Sequence, residues 1–268
     1  MLSYPHIDPV IVQIGPLAVR WYGMMYLLGF VSARFLVVHR IKKAVRVSVT
    51  TDEIDSLFVY LILGLVLGAR LGYVVFYDLS AYIRNPIEIF SVWHGGMSFH
   101  GGLIGCIIAG MIFTRKYKTD FWELSDLVIV AAPIGLGLGR LGNFINGELY
   151  GRVTTMPWGM VFPGGGPLPR HPSQIYELLL EGVALFVILW SLSSKGLRPG
   201  KITASFIIFY GLFRIIAEFF REPDPQIGFI LGIFTMGQLL SALMMVIGVV
   251  IFLYRARTET VQKTYKKS

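Results

Sequence analysis

The feature that most constrains this chain is a series of apolar runs, each long enough to cross a bilayer, spread over nearly its whole length. Seven can be bounded, at about residues 21–38, 54–76, 98–113, 124–141, 173–192, 202–220 and 233–254. A helix needs ~20 apolar residues to span the hydrocarbon, and runs of this length and spacing argue for helices. The expected fold is all-α: a polytopic membrane protein with seven transmembrane helices forming a single integral membrane domain over residues 1–268. Composition agrees, with 54% hydrophobic and only 15% charged residues, against roughly 45–50% and 25% in ordinary globular chains. The net charge of +8 then needs no nucleic acid to explain it. The N-terminus, MLSYPHIDPV, has no basic n-region and no cleavage site before the first apolar run, so an uncleaved first helix is expected.

The basic residues set the expected orientation. Connections after the first, third, fifth and seventh spans carry fifteen of the twenty-four Lys and Arg, including all nine lysines. Positive residues stay cytoplasmic, so the N-terminus should face outward and the C-terminus inward, with residues 255–268 as a basic cytoplasmic tail. The nine remaining basic residues are all arginine, and most lie in spans or on the outer side. Arginine presents a rigid fork suited to two-point contact with phosphate or carboxylate, whereas lysine is a hydrated point charge. That skew predicts oxyanion binding in or above the outer half of the bundle.

Smaller signals fill in the plan. Gly64, Gly68 and Gly72 make a small-residue stripe suited to close helix packing. Residues 77–97, with Arg84, Pro86, Trp93 and His94, suggest an interfacial arm with aromatic anchoring. Residues 142–172, rich in Gly and Pro with short β-prone pieces at 160–162, read as a small periplasmic cap. The single cysteine, Cys106, excludes an intramolecular disulfide and a cysteine-rich metal site. It sits in an apolar run and reads as a packing residue. The five histidines show no metal-ligand spacing, so no metal is expected.

The chemistry concentrates in residues 139–152, GRLGNFINGELYGR. Two arginines, two asparagines, a glutamate and four glycines follow directly on an apolar run. Such polar groups are costly in or beside hydrocarbon unless they pair or bind something polar, and the glycines permit close backbone approach. The stretch reads as a polar pocket at the mouth of a membrane helix. A capped helix end followed by a glycine turn is the blander alternative. Gly137, Gly139 and Gly142 also fit GxGxxG, but without a surrounding βαβ unit the nucleotide-binding context is missing.

Under the expected topology other polar residues come to the same outer level. His100 starts an outward-to-inward helix. Arg140 and Asn143 end an inward-to-outward one. Arg214 lies twelve residues into the sixth span, roughly 18 Å from its inner end at ~1.5 Å per residue and past the middle of a ~30 Å core. Glu218 is one turn further on the same face. Tyr22 starts the first span, and His171 and Tyr176 flank the start of the fifth. Each has a structural alternative: a helix cap for His100, an ion pair for Arg214 and Glu218, an aromatic belt for Trp21, Tyr22 and Trp93.

These motifs carry a family resemblance. The chain resembles the prolipoprotein diacylglyceryl transferases from Asp8-Pro9 to about Tyr254. The most specific piece is Gly139-Arg140-Leu141-Gly142-Asn143-Phe144-Ile145-Asn146-Gly147-Glu148, followed by Gly151-Arg152. Trp21-Tyr22-Gly23, His100-Gly101-Gly102-Leu103, Arg170-His171-Pro172-Ser173-Gln174 and Tyr210-Gly211-Leu212-Phe213-Arg214 match in the same order. The resemblance implies an enzyme of the bacterial cytoplasmic (inner) membrane that acts on two partners, phosphatidylglycerol and a prolipoprotein signal peptide with a lipobox cysteine. The diacylglyceryl group moves to the cysteine thiol, a thioether forms and glycerol 1-phosphate leaves. It further implies that Tyr22, His100, Arg140, Asn143, Glu148, Gly151, Tyr210, Arg214 and Glu218 are the functional positions.

Chemistry assigns roles within that set. A thiol of pKa ~8.5 is mostly protonated at neutral pH, and a histidine near ~6.5 can take its proton, which suits His100. Arg140 and Arg214 would hold the lipid phosphate and stabilise the leaving group. Asn143 and Tyr22 would position headgroup or glycerol oxygens, and Glu148 and Glu218 would orient the arginines. The lipid is already an activated donor, so no cofactor is expected. A transporter would favour broken helix pairs and internal repeats, and no convincing repeat is present. An intramembrane protease would need a serine in a GxSG-type loop or an aspartyl pair within spans, and Ser98 lacks that setting.

Overall fold

The computed structural model describes residues 2–15, 17–42, 49–91, 95–222, 229–230 and 233–265. Two compact units are present: Met1–Leu36 together with Val128–Ser268, and Val37–Leu127. The boundaries fall within α1 (Trp21–Lys42) and α5 (Phe121–Ile129).

The second unit is organised by α2 (Thr51–Phe76) and α4 (Phe99–Tyr117). A capping box starts α2: Thr50 Oγ1 accepts from the Glu53 amide at 3.3 Å, and the Glu53 carboxylate accepts from the Thr50 amide at 2.7 Å. The glycine stripe lies against α4. A Cβ on Gly64 would come within 2.7 Å of the Ala109 Cβ, one on Gly68 within 2.8 Å of the Gly105 Cα, and one on Gly72 within 2.7 Å of the Gly101 Cα. The helices can approach this closely because glycines meet glycines and the small Ala109 at the crossing. Flanking the stripe, Leu63, Leu67, Leu71 and Val75 are 51–60% exposed, an apolar face suited to lipid. Gly68→Val is therefore expected to lower the unfolding temperature in detergent by the equivalent of about 1–3 kcal/mol or more. Gly135→Ala, where an added Cβ meets nothing within 4 Å, should leave it within about 0.5 kcal/mol.

Arg70 closes the end of α2. It is buried, and its guanidinium donates to the carbonyls of Ile89 at 2.9 Å, Gly95 at 2.5 Å, Gly96 at 3.1 Å and Ser91 at 3.2 Å, and to that of Glu88. The expected arm is a short helix α3 (Leu79–Arg84) and a 3-10 turn (Pro86–Phe90), tied down through these carbonyls. Its Trp93 and His94 lie outside the described residues, as do Lys43 and Arg46 of the first basic connection. Ser98 caps α4, its Oγ accepting from the Gly101 amide at 3.2 Å. At the other end of the unit, Arg40 donates to the carbonyls of Asp126 at 2.8 Å and Leu127 at 2.6 Å, in the last turns of α5.

The first unit holds a hairpin of β1 (Val10–Ile14) and β2 (Leu17–Arg20), α6 (Ala132–Ile145), the fifth apolar segment, α9 (Lys201–Glu218), a small pairing of β3 (Phe229–Ile230) with β4 (Phe234–Thr235), and α10 (Met236–Tyr265). The fifth segment is α7 (Ser173–Glu177), a π-helical stretch (Leu178–Ala184) and α8 (Leu185–Ser193). Val130, Leu185, Leu189 and Ile202 form its buried core, packed about by Phe186, Trp190, Phe206, Phe209 and Phe213. Glycines again set the crossings. Gly211 faces Met245 and the Ser241 carbonyl on α10, and Gly248 faces Ile208 on α9.

Among the described residues four helices are long and apolar enough to cross a membrane, Trp21–Lys42, Thr51–Phe76, Ser173–Ser193 and Met236–Arg257. Phe121–Ile129 with Ala132–Ile145, bent by 42°, make a fifth if taken as one span. The expected fourth span is thus broken, at Val130 and Ala131 with Pro133 behind them. The other two expected spans are helices of 19 and 18 residues, α4 and α9. Their polarity is what sets them apart: α4 carries His100, four glycines, Arg115 and Lys116, and α9 carries Lys201, Arg214 and Glu218.

Candidate active site

The stretch 139–152 occupies the last two turns of α6 and the turn that follows. Asn146 closes the helix, its amide donating to the Gly142 carbonyl at 3.0 Å. Gly147 takes a left-handed φ of 67° at no steric cost. Leu149 is left-handed as well, at φ 56°, which a leucine adopts only when neighbours hold it there. They are supplied by the Arg170-His171-Pro172-Ser173-Gln174 motif. Ser173 Oγ donates to the Leu149 carbonyl at 2.9 Å, and Gln174 Nε2 to that of Glu148 at 2.6 Å. Arg170 Nη1 reaches the Gly151 carbonyl at 3.1 Å and the Glu222 carboxylate at 2.8 Å, with Tyr150 packed beneath the guanidinium. Gly151 is obligatory for space: an added Cβ would strike the Phe220 carbonyl and lie 2.8 Å from His171 Cβ. Beneath the turn Tyr4 donates to the Phe144 carbonyl at 2.7 Å and the Ile145 carbonyl at 3.1 Å, filling orphan acceptors at the end of α6.

The arginines meet, on partners that the residue pattern did not name. Arg140 Nε lies 2.6 Å from Glu177 Oε2, and its Nη2 lies 3.6 Å from Glu181. Arg214 Nη1 is 3.2 Å from the same Glu177 oxygen and 3.7 Å from Glu181, while its Nη2 is 2.9 Å from Glu218. One carboxylate therefore joins two guanidiniums on different helices. Glu177 and Glu181 are 1% and 0% exposed, Arg214 13% and Arg140 20%, so Arg140 keeps the more open side. Among the described residues Glu181 makes no hydrogen bond in good geometry through either oxygen, and neither do Glu177 Oε2, Glu218 Oε2 and Arg214 Nη1. These are ion pairs by distance without aligned N–H directions. Tyr210 and Arg221 complete the charge set around the pair.

Backbone contact fixes these distances. Gly137, one turn before Arg140, packs on Gly182, next to Glu181: a Cβ on Gly182 would lie 2.9 Å from the Gly137 Cα. Gly237, in the first turn of α10, leaves room for the Glu218 carboxyl, which an added Cβ would meet at 2.8 Å. The π-helical stretch begins immediately after Glu177 and contains Glu181. Such bulges shift side chains along a helix and often occur at functional positions.

The remaining expected positions fall into place individually. Glu148 accepts from Asn143 Nδ2 at 2.9 Å and Asn146 Nδ2 at 3.2 Å, so among the described contacts it orients asparagines where an arginine was expected. Tyr22 packs on Gly142 and bonds Tyr26 at 3.3 Å. His100 belongs to the second unit, where it is exposed in the first turn of α4 with the Phe99 ring edge-on. Cys106 is half-buried, its Sγ 3.6 Å from the Leu61 carbonyl, as suits a packing residue. A cavity of about 500 Å³ opens beside the N-terminus, between Tyr4, His6, Phe162 and Pro163, and none of the expected residues lines it.

Glu177 and Glu181 were legible in principle. Two acids four residues apart inside an apolar run are costly unless partnered, and a match to intramembrane arginines of opposite charge would have found them.

Beside the cluster a donor chain fixes His171. The indole Nε1–H of Trp158, which can only donate, reaches Tyr176 Oη at 2.6 Å, and Tyr176 Oη lies 3.0 Å from His171 Nδ1. Tyr176 Oη thereby links the indole to the imidazole. Burial also holds the His171 pKa below its ordinary value. A folded pKa below the unfolded one stabilises the fold above the ordinary value of ~6.5, and that contribution is lost as pH falls through the folded value. The unfolding temperature should therefore drop between pH 7.5 and 5. In His171→Gln, which cannot titrate, the drop should be smaller.

Comparison with known proteins follows the same outline. Residues 9–254 match the family model for prolipoprotein diacylglyceryl transferase. A phosphatidylglycerol–prolipoprotein diacylglyceryl transferase of Desulfotalea psychrophila is 54% identical over 259 residues, covering 94% of this chain and 95% of the relative. The proteins of that name from Geobacter sulfurreducens and Legionella pneumophila are 53% and 51% identical, covering 92% and 93% of this chain and 95% and 97% of their own. The apolar helices are those of an integral membrane protein, and with a match across nearly all its length the chain belongs to the prolipoprotein diacylglyceryl transferase family.

Proposed function

We propose that this chain carries out the reaction for which its relatives are named. The diacylglyceryl group of phosphatidylglycerol passes to the lipobox cysteine thiol of a prolipoprotein, as the first step of lipoprotein maturation. The observation that carries the reading is the pair of guanidiniums, Arg140 and Arg214, drawn from different helices onto one buried carboxylate, Glu177. Two forks side by side in an apolar protein suit a phosphate with oxygens to spare.

The thiol sulfur attacks the carbon of the diacylglycerol that bears the phosphate. The C–O bond breaks, its electron pair stays on the phosphate oxygen, and glycerol 1-phosphate leaves. Arg140 and Arg214 hold the phosphate and stabilise the charge that grows on it. His100 takes the thiol proton, an assignment resting on imidazole chemistry and the motif match. Tyr22, Asn143, Glu148, Gly151, Tyr210 and Glu218 bind the substrate or shape its site. The lipid carries its own leaving group, so the reaction requires no metal or organic cofactor.

In this reading α4 and α9 also cross the membrane, giving seven spans in the bacterial inner membrane. Residues 142–172 form a periplasmic cap, and residues 255–268 a cytoplasmic tail. A cysteine placed at Gly164 should then react with an impermeant reagent added outside. Labelling only from the cytoplasmic side would refute the orientation.

The activity is tested with purified protein, phosphatidylglycerol and a lipobox peptide. Mass spectrometry should find the diacylglyceryl thioether on the peptide cysteine. Peptide cleavage, or an unmodified peptide from folded protein, would overturn the proposal.

A further inference from the structure

In the proposed reaction the phosphate changes charge. A phosphodiester of charge −1 becomes a phosphomonoester, which above its second pKa of about 6 approaches −2. Coulomb energy is proportional to charge, so two arginines alone would hold the product more tightly than the substrate, and turnover would stall on release.

The structure sets buried negative charge directly behind the arginines. Glu177 and Glu181 contact both Arg140 and Arg214 at 2.6–3.7 Å while being 1% and 0% exposed. The groups facing the pair come from α6, α9 and the residues just beyond it. They are Arg140, Tyr210, Arg214, Glu218 and Arg221. Three carboxylates, Glu177, Glu181 and Glu218, thus stand against three guanidiniums. Among the described residues these six groups leave no surplus positive charge with which to retain a dianion.

We propose that the Glu177–Glu181 pair is a product-release device, which holds the two arginine forks in place and repels dianionic glycerol 1-phosphate more than the monoanionic lipid headgroup. It rests on the phosphate-clamp reading above. The pair acts through charge on whatever the arginines hold, so these are positioning residues that touch no reacting atom.

The test uses two soluble inhibitors of the full-length protein at pH 8: glycerol 1-phosphate, a dianion, and its methyl phosphodiester, a monoanion. In the unaltered protein the dianion should bind no more tightly than the monoanion. Glu181→Gln removes one charge and keeps the shape. If it tightens the monoanion about 3-fold, it should tighten the dianion by about the square of that, ~10-fold. Glu177→Gln provides a second variant should Glu181→Gln fail to fold. Arg140→Lys separates the two readings. If it leaves both inhibition constants unchanged, the arginines hold no phosphate and the clamp itself fails. If it weakens both while neither glutamine variant favours the dianion, the clamp stands and the release device is overturned. A dianion bound ten-fold more tightly than the monoanion by the unaltered protein would overturn the device without any variant.

Discussion

Arg140→Lys and Arg214→Lys are each expected to slow diacylglyceryl transfer by ~100–1,000-fold per folded molecule. Lysine keeps the charge but loses the planar two-point fork. Losing one charge-assisted contact that strengthens in the transition state costs on the order of 2.7–4 kcal/mol, by analogy with an oxyanion donor. Arg214 also lies against Glu177, Glu181 and Glu218, so a purely structural role must be separated from a catalytic one. Arg214→Ala would leave three carboxylates facing only Arg140 and Arg221, and should destabilise the protein by about 3–5 kcal/mol. Arg214→Lys retains a cation and should stay much closer to the parent in thermal unfolding. Turnover with phosphatidylglycerol, measured beside the unfolding temperature in detergent, distinguishes the two. Full turnover by both lysine variants would sink the phosphate clamp.

Gly182→Val is expected to cost at least ~100-fold in turnover, although the residue is apolar and touches no charge. Its Cβ would come within 2.9 Å of the Gly137 Cα and 3.4 Å of the Gly137 amide nitrogen. The fifth apolar segment and α6 would have to part there, one turn from Arg140 and one residue from Glu181. A shift of ~1 Å in reacting groups can cost ~100-fold, and overpacking adds about 1–3 kcal/mol of instability. The measurement is turnover per folded molecule, with Gly139→Ala, where nothing lies within 4 Å, as the control for helix propensity alone. Near-normal turnover by Gly182→Val would mean that the Gly137–Gly182 contact does not set the arginine geometry.

The sequence by itself determined the membrane class, most of the helices and the polar stretch at the end of α6. Apolar runs and glycine stripes act locally: a run of hydrocarbon length can only be a helix in lipid, and Gly64, Gly68 and Gly72 mark a crossing whichever helix lies opposite. The motif match singled out Arg140, Arg214 and Glu218 as candidates, because residue identity and order are enough to recognise a family. Tertiary structure decided the partners. The place of Glu148 in the same stretch suits it to orient an arginine, yet it turns to Asn143 and Asn146. The arginine carboxylates come from Glu177 and Glu181, over thirty residues downstream. They reach Arg140 only because two glycines let the backbones meet, and a π-helical stretch carries Glu181 along the same segment. Which glycine faces which, and where a helix takes an extra residue in its turn, depends on contacts distant in the chain, and hydropathy and residue spacing carry no record of them.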